Sequence, residues 1–181
     1  MEPSGPGFGP KSGSTNKEDK WSLPFCTIVA VDTSESISYR ACSICERTLP
    51  EDPSSFCSFC SNNSSANPGC KRVYRILVSI ATTDEVIVVI FFDRVTRVLF
   101  GCSADEFFHF CRLHPFAAEK AAEVLEGEMC RLTLSKPKSS NAQHLRAASV
   151  VPLRTGFRPV IDTLKQMYGI ETSSSGMKKE K

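Results

Sequence analysis

Four cysteines stand in two matched pairs, Cys42 with Cys45 and Cys57 with Cys60, inside the stretch ACSICERTLPEDPSSFCSFCS. The spacing is C-x₂-C-x₁₁-C-x₂-C. Each C-x₂-C turn can offer two thiolates to one tetrahedral ion, so two turns complete a four-sulfur shell. The ion this chemistry predicts is zinc, one per chain. Four thiolates leave no coordination position for water or substrate, and the expected role is therefore structural. The surrounding segment, residues 42–70, is dominated by Cys, Ser, Asn and Pro and has little to bury. A bound ion would order it, since metal binding supplies on the order of 10 kcal/mol or more in zinc peptides. Two disulfides, or a redox C-x-x-C, are the competing readings, and Cys70 is an alternative ligand without a paired partner of its own.

The chain has 9 cysteines, an odd number that fits poorly with a fully paired disulfide framework. Cys26, Cys102, Cys111 and Cys130 lie among apolar neighbours and read, with Cys70, as buried thiols. Hydrophobic residues make up 41% and charged residues 23%, ordinary values for a chain that folds around a core. The longest strongly apolar run, Val86 to Phe92, falls far short of the roughly 20 residues that span a bilayer, so no membrane partner is expected. Residues 1–20 are rich in Gly, Pro, Ser and Lys without an apolar or Arg-rich targeting pattern. They read as a disordered tail of an intracellular protein, and 170–181 as a second tail, leaving 21–169 as one domain.

Elements able to position the cysteines follow from periodicity. Trp21 to Val31 is rich in β-formers, with Ile37 to Arg40 as its continuation after a polar turn. Arg72 to Ala81 and Glu85 to Phe92 flank Thr82-Thr83-Asp84 as an antiparallel hairpin. Val95 to Phe100 and Ser103 to Leu113 read as helices, the second opening on a capping box at Ser103 to Glu106, with Gly101 as the stop between them. Ala117 to Leu125 adds a short helix, and Cys130 to Leu134 and Leu145 to Leu153 two more strands. Near the end, Val160, Ile161, Leu164, Met167 and Tyr168 form the stripe of an amphipathic helix over 159–168. Five strands with a helical connection after the third make a mainly β fold, a five-stranded OB-fold barrel with an inserted zinc ribbon at 42–60 and a C-terminal amphipathic helix.

The stretches CTIVAVDTSESISYRAC, both cysteine pairs, and KRVYRILVSIATTDEVIVVIFFDRVTRVLFG resemble the C-terminal DNA-binding domain of the replication protein A large subunit. The resemblance covers about Trp21 to Tyr168. It implies a nuclear, non-enzymatic module that binds single-stranded DNA in replication, recombination or repair, and that joins other OB-fold subunits through helix 159–168. Related OB modules in meiotic and break-repair proteins share these traits. In the family, two aromatics four residues apart on the third strand contact nucleic acid; here Phe92 matches the second and Val88 stands at the first.

OB barrels hold single strands by stacking bases on aromatic side chains, each stack worth roughly 1–3 kcal/mol, beside a basic groove. The candidates are Phe92 and Tyr74 as platforms, with Arg72, Arg75 and Arg94 flanking them and Lys136, Lys138 and Arg146 around the late loop. Phe91 and Phe92 must point to opposite faces, so only one of them can be a platform. The alternative is that these aromatics belong to the core. A net charge of +2 does not argue for nucleic acid, but its distribution is uneven. From Arg131 to Arg158 the chain carries Arg131, Lys136, Lys138, Arg146, Arg154 and Arg158 and no Asp or Glu, whereas Asp105 to Glu128 is strongly acidic. His109, His114 and His144 belong to no nucleophile motif, and neither a phosphate loop nor a catalytic carboxylate pair is visible. An enzyme with a small-molecule substrate is not expected. The competing function is a protein-interaction OB module with weak or no nucleic-acid binding, which Val88 and the low net charge favour.

Overall fold

A strand with apolar residues at every second position can bury one face and leave the other to solvent. The structure, a computed structural model describing residues 20–63, 68–137 and 142–170, contains such a strand at its centre. This strand, β3 (Cys70–Ala81), follows β1 (Lys20–Val31), β2 (Ser38–Cys42) and α1 (Ser58–Asn63), and turns through Thr82 to Glu85 into β4 (Val86–Phe92). Helices α2 (Asp93–Phe100), α3 (Ala104–Leu113) and α4 (Ala117–Leu125) come next, then β5 (Met129–Ser135), β6 (Leu145–Pro152) and α5 (Val160–Met167).

The strands close into a ring of β1, β5, β6, β4 and β3, shut by β1 pairing with β3; all contacts in it are antiparallel except that between β4 and β6. Closure requires bent strands. Register breaks supply the bends, on β1 between Leu23 and Cys26 and between Ile28 and Ala30, and between β5 and β6 at Thr133 and Leu134. Among the described residues there are six strands, one more than the five read from the sequence. The sixth, β2, is the stretch expected to continue strand one. It does lie along the same edge of β3, facing Cys70 to Tyr74, while β1 faces Val78 to Ala81. Between them Asp32 N donates to Leu77 O and Ile37 O accepts from Arg75 N. The break is needed because β3 outruns the barrel, and its first half requires a partner beyond the ring.

Inside the ring lie Ile28, Ile76, Val78, Ile80, Val89, Phe91, Leu132 and Leu134, all almost fully buried. One mouth is stoppered by the helices, where the Phe100 ring packs 5.2 Å from Tyr74 and 4.9 Å from Phe107. The α3 start is the predicted capping box: Ser103 Oγ accepts from Glu106 N, and the Glu106 carboxylate accepts from Ser103 N. Gly101 ends α2 at φ 74°, and a Cβ there would overlap the Pro159 ring, so the position demands glycine twice over.

Helix α5 spends most of its stripe within its own chain. Val160, Ile161 and Leu164 are buried in the main core, and the Tyr168 hydroxyl donates to Pro115 O; Met167 is left 59% exposed. Both expected tails fall outside the described residues, apart from Lys20 in β1 and Ile170. Among the described residues no helix is long and apolar enough to cross a membrane. Leu164→Ala should therefore cost about 2–5 kcal/mol in urea unfolding, and Met167→Ala within about 0.5 kcal/mol. Equal, small losses at both would show that α5 is not part of the core.

Candidate metal centre and nucleic-acid face

Cys42 is the last residue of β2, opposite the first of β3, Cys70. The chain reverses immediately: Cys42 N donates to Arg47 O and Glu46 N to Cys42 O, with Glu46 in the left-handed region at φ 61°. This tight turn presents Cys45 beside Cys42. In the second turn Cys57 directly precedes α1, and Cys60 lies in that helix. The four Sγ atoms all fall within 4.8 Å of one another, with Cys45 to Cys57 at 3.5 Å and Cys42 to Cys60 at 3.8 Å. Four thiolates bonded at 2.3 Å to one tetrahedral ion define edges of about 3.8 Å, so this set fits a single metal ion.

The surroundings favour metal binding. Cys42, Cys57, Cys60 and Leu49 form a small buried cluster of their own, with Cys45 packed against it. The Cys45 backbone N–H, helped by that of Ile44, holds the Cys42 thiol at about 6, whereas burial pushes Cys60 up to about 12. The first sulfur is thus ready as a thiolate, and a positive ion would draw the proton from the last. All 9 cysteines are free thiols in this structure, and the ribbon's four sulfurs stand at the separations one shared ion requires. Cys70 stands apart from the four and interacts with Arg40 Nη2 at 3.3 Å.

Arg40 was not legible as part of this region. It is 7% exposed, and its guanidinium donates to the carbonyls of Pro50 and Asp52 and to Ser55 Oγ, tying the loop between the two turns to β2. Nothing local marked it, because alternation with Ile37 and Tyr39 would point Ser38 and Arg40 outward, whereas the structure buries both.

The second candidate region lies on the outer side of β3 and β4. Register pairs Arg75 directly with Phe92 and Ile76 with Phe91. Phe91 is 1% exposed, so Phe92 is the outward ring, half-buried, and the Arg146 guanidinium sits 4.4 Å above it. Arg146 comes from β6, opposite Ile90 of β4 and Ser135 of β5. Exposed Arg94 is the second residue of α2, two past Phe92, and exposed Lys136 follows Ser135 directly. Val88 shares this outer face at 38% exposure, across from Ser79. The structure therefore assembles Phe92, Arg75 and Arg146 from the adjacent strands β4, β3 and β6, with Arg94 in the first turn of α2 after β4 and Lys136 just past the end of β5. Lys138 lies outside the described residues.

Two predicted residues are not on this face. Tyr74 is 0% exposed, with its hydroxyl donating to Ser103 O at 3.1 Å, so it is core and no platform for a base. Strand parity is the reason: Tyr74 and Phe92 belong to opposite faces of the hairpin. Arg72 shares Tyr74's parity and points toward α3, where its guanidinium lies 3.6 Å from the Phe108 ring centroid and pairs with Glu51 at 2.8 Å. Asp105 accepts from its backbone N–H. Its charge links ribbon to barrel.

No family model and no curated protein matches the sequence. Among solved structures, one described as "Yeast RPA bound to ssDNA" superposes with a TM-score of 0.61 over 88% of this chain and 90% of that one, at 18% identity. A second, a replication protein A heterotrimer bound to ssDNA, gives a TM-score of 0.60 at 16% identity, covering 84% of this chain and 35% of that chain. The fold is that of a replication protein A-like OB-fold domain, as the sequence resemblance implied.

The purified protein should contain one metal ion per chain by elemental analysis. Cys57→Ser should lose it and loosen the ribbon while the barrel still melts cooperatively. Stoichiometric metal retained by that variant would refute the ligand set.

Proposed function

We propose that the chain is a single-stranded DNA-binding OB-fold module that acts in DNA replication, recombination or repair in the nucleus, alongside other OB-fold subunits. The observation that carries this reading is the outward Phe92 ring, flanked by Arg75 across the hairpin and covered by Arg146 from β6. An aromatic face with guanidinium groups on both sides is what an extended, unpaired strand requires: a surface for a base and cations for phosphates. An arginine resting on the ring can swing to a phosphate when a base takes its place. The likeness to ssDNA-bound replication protein A structures supports the same reading, at the level of the fold. Four thiolates at tetrahedral spacing, closed to further ligands, support zinc as the metal, with a structural role. Neither region offers a nucleophile and base arranged for catalysis, which supports a binding module.

One observation favours a second reading, a protein-interaction module. Val88, not an aromatic, occupies the outer face two positions before Ile90, so the stacking surface is short.

Fluorescence anisotropy with labelled dT oligonucleotides across a salt series separates the two. Wild-type protein should bind with an affinity that falls as salt rises. Phe92→Ala should weaken binding by roughly 1–3 kcal/mol with little change in slope. Arg75→Ala should reduce the slope by about 0.7, the share of one phosphate on a single strand. Absence of salt-dependent binding at low ionic strength would leave the interaction module as the function.

A further inference from the structure

Two thiols outside the ribbon face each other in the barrel wall. Cys26 on β1 is in direct register with Cys130 on β5. Their Sγ atoms are 3.4 Å apart, and Cys26 Sγ also lies 3.2 Å from Cys130 O as a donor. Both are buried, at 4% and 1% exposure, within the main core and not the ribbon cluster. Directly opposed residues of antiparallel strands have Cα atoms about 4.5–5.5 Å apart, inside the range of about 4.4–6.8 Å that a disulfide spans. No other pair of cysteines outside the ribbon is brought sulfur to sulfur in this way among the described residues.

We propose that Cys26 and Cys130 form an oxidisable dithiol, which peroxide converts to a disulfide that ties β1 to β5. The proposal is independent of the DNA-binding reading. In the first step the Cys26 thiolate attacks one oxygen of hydrogen peroxide. An S–O bond forms, the O–O bond breaks, and the departing hydroxide takes up the proton Cys26 released, leaving as water. In the second, Cys130 Sγ attacks the sulfenic sulfur. The S–S bond forms, the S–O bond breaks, and hydroxide leaves with the Cys130 proton as a second water. Two thiols lose two electrons in all, and one peroxide becomes two waters.

The local structure assigns the roles. Cys26 borders the register break and is the thiol that peroxide reaches first, whereas Cys130, at 1% exposure, stays within the core to attack the sulfenic sulfur. Access comes from the register break that ends at Cys26. It contains Pro24, which has no N–H for the ladder, and Phe25, which is 62% exposed. A short opening there uncovers the sulfur without unfolding the ring. The closed form joins positions 104 apart in sequence, a long loop whose constraint of the unfolded chain is large.

The test treats the full chain as purified with one equivalent of hydrogen peroxide, blocks free thiols, and maps peptides without reduction while following metal content and melting. A Cys26 to Cys130 cross-linked peptide is expected, with the metal content unchanged. The melting midpoint should rise by about 5 °C or more and revert on reduction. Cys26→Ala should abolish both the cross-link and the shift. Recovery of Cys26 and Cys130 as blocked free thiols, or oxidation of Cys42, Cys45, Cys57 and Cys60 in their place with loss of metal, would overturn the proposal. Because the mapping uses the wild-type chain, it stands even where a variant folds poorly.

Discussion

A single constraint organises the molecule: β3 must find hydrogen-bond partners along both edges of its 12 residues. Its second half is served by β4 on one edge and β1 on the other, which closes the barrel. Its first half runs past the barrel and is served by β2, which brings Cys42 opposite Cys70 and founds the ribbon. Alternation does the rest. Tyr74, Ile76, Val78 and Ile80 go inward, and Arg75 goes outward to meet Phe92. A slip of one residue in this register would put Arg75 in the core and expose Tyr74, so the same pairing that fixes the hydrophobic interior also fixes the basic, aromatic exterior.

The ribbon is the part that hydrophobic burial does not explain. Its cluster contains one apolar side chain, Leu49, besides the cysteines. Burying a leucine supplies about 1.5–3 kcal/mol, against on the order of 10 kcal/mol or more for a four-ligand metal site. Metal coordination is accordingly the dominant stabilising term available there. Arg40 complements it by satisfying carbonyls of the intervening loop that have no ladder of their own.

Local chemistry made much of this fold legible before the structure. The capping box at Ser103, the stop at Gly101, the Thr82 to Glu85 turn and the two C-x₂-C turns all depend on residues within a few positions of one another. The choice between Tyr74 and Phe92 as the exposed ring does not, because both lie on apolar strands and only the register, set by closure of the ring, decides which faces out. The same holds for Arg72, whose partners Glu51, Asp105 and Phe108 are remote in sequence. The α5 stripe was visible as a stripe, but its partner was not: a helix that packs on its own barrel and one that waits for another subunit share one pattern. Cys26 and Cys130 read correctly as buried thiols, while their pairing across 104 positions left no trace in local sequence.

The proposed single-strand contact lies on one face, formed by β3, β4 and β6. Ultraviolet cross-linking of the protein to an unlabelled dT oligonucleotide, followed by mass spectrometric mapping of the adducts, tests that placement without altering any residue. Thymine adducts should concentrate on the peptide containing Phe92. Adducts confined to other exposed aromatics, such as Phe25 on β1 or Phe59 on the ribbon, or no adducts under conditions where anisotropy shows binding, would contradict it.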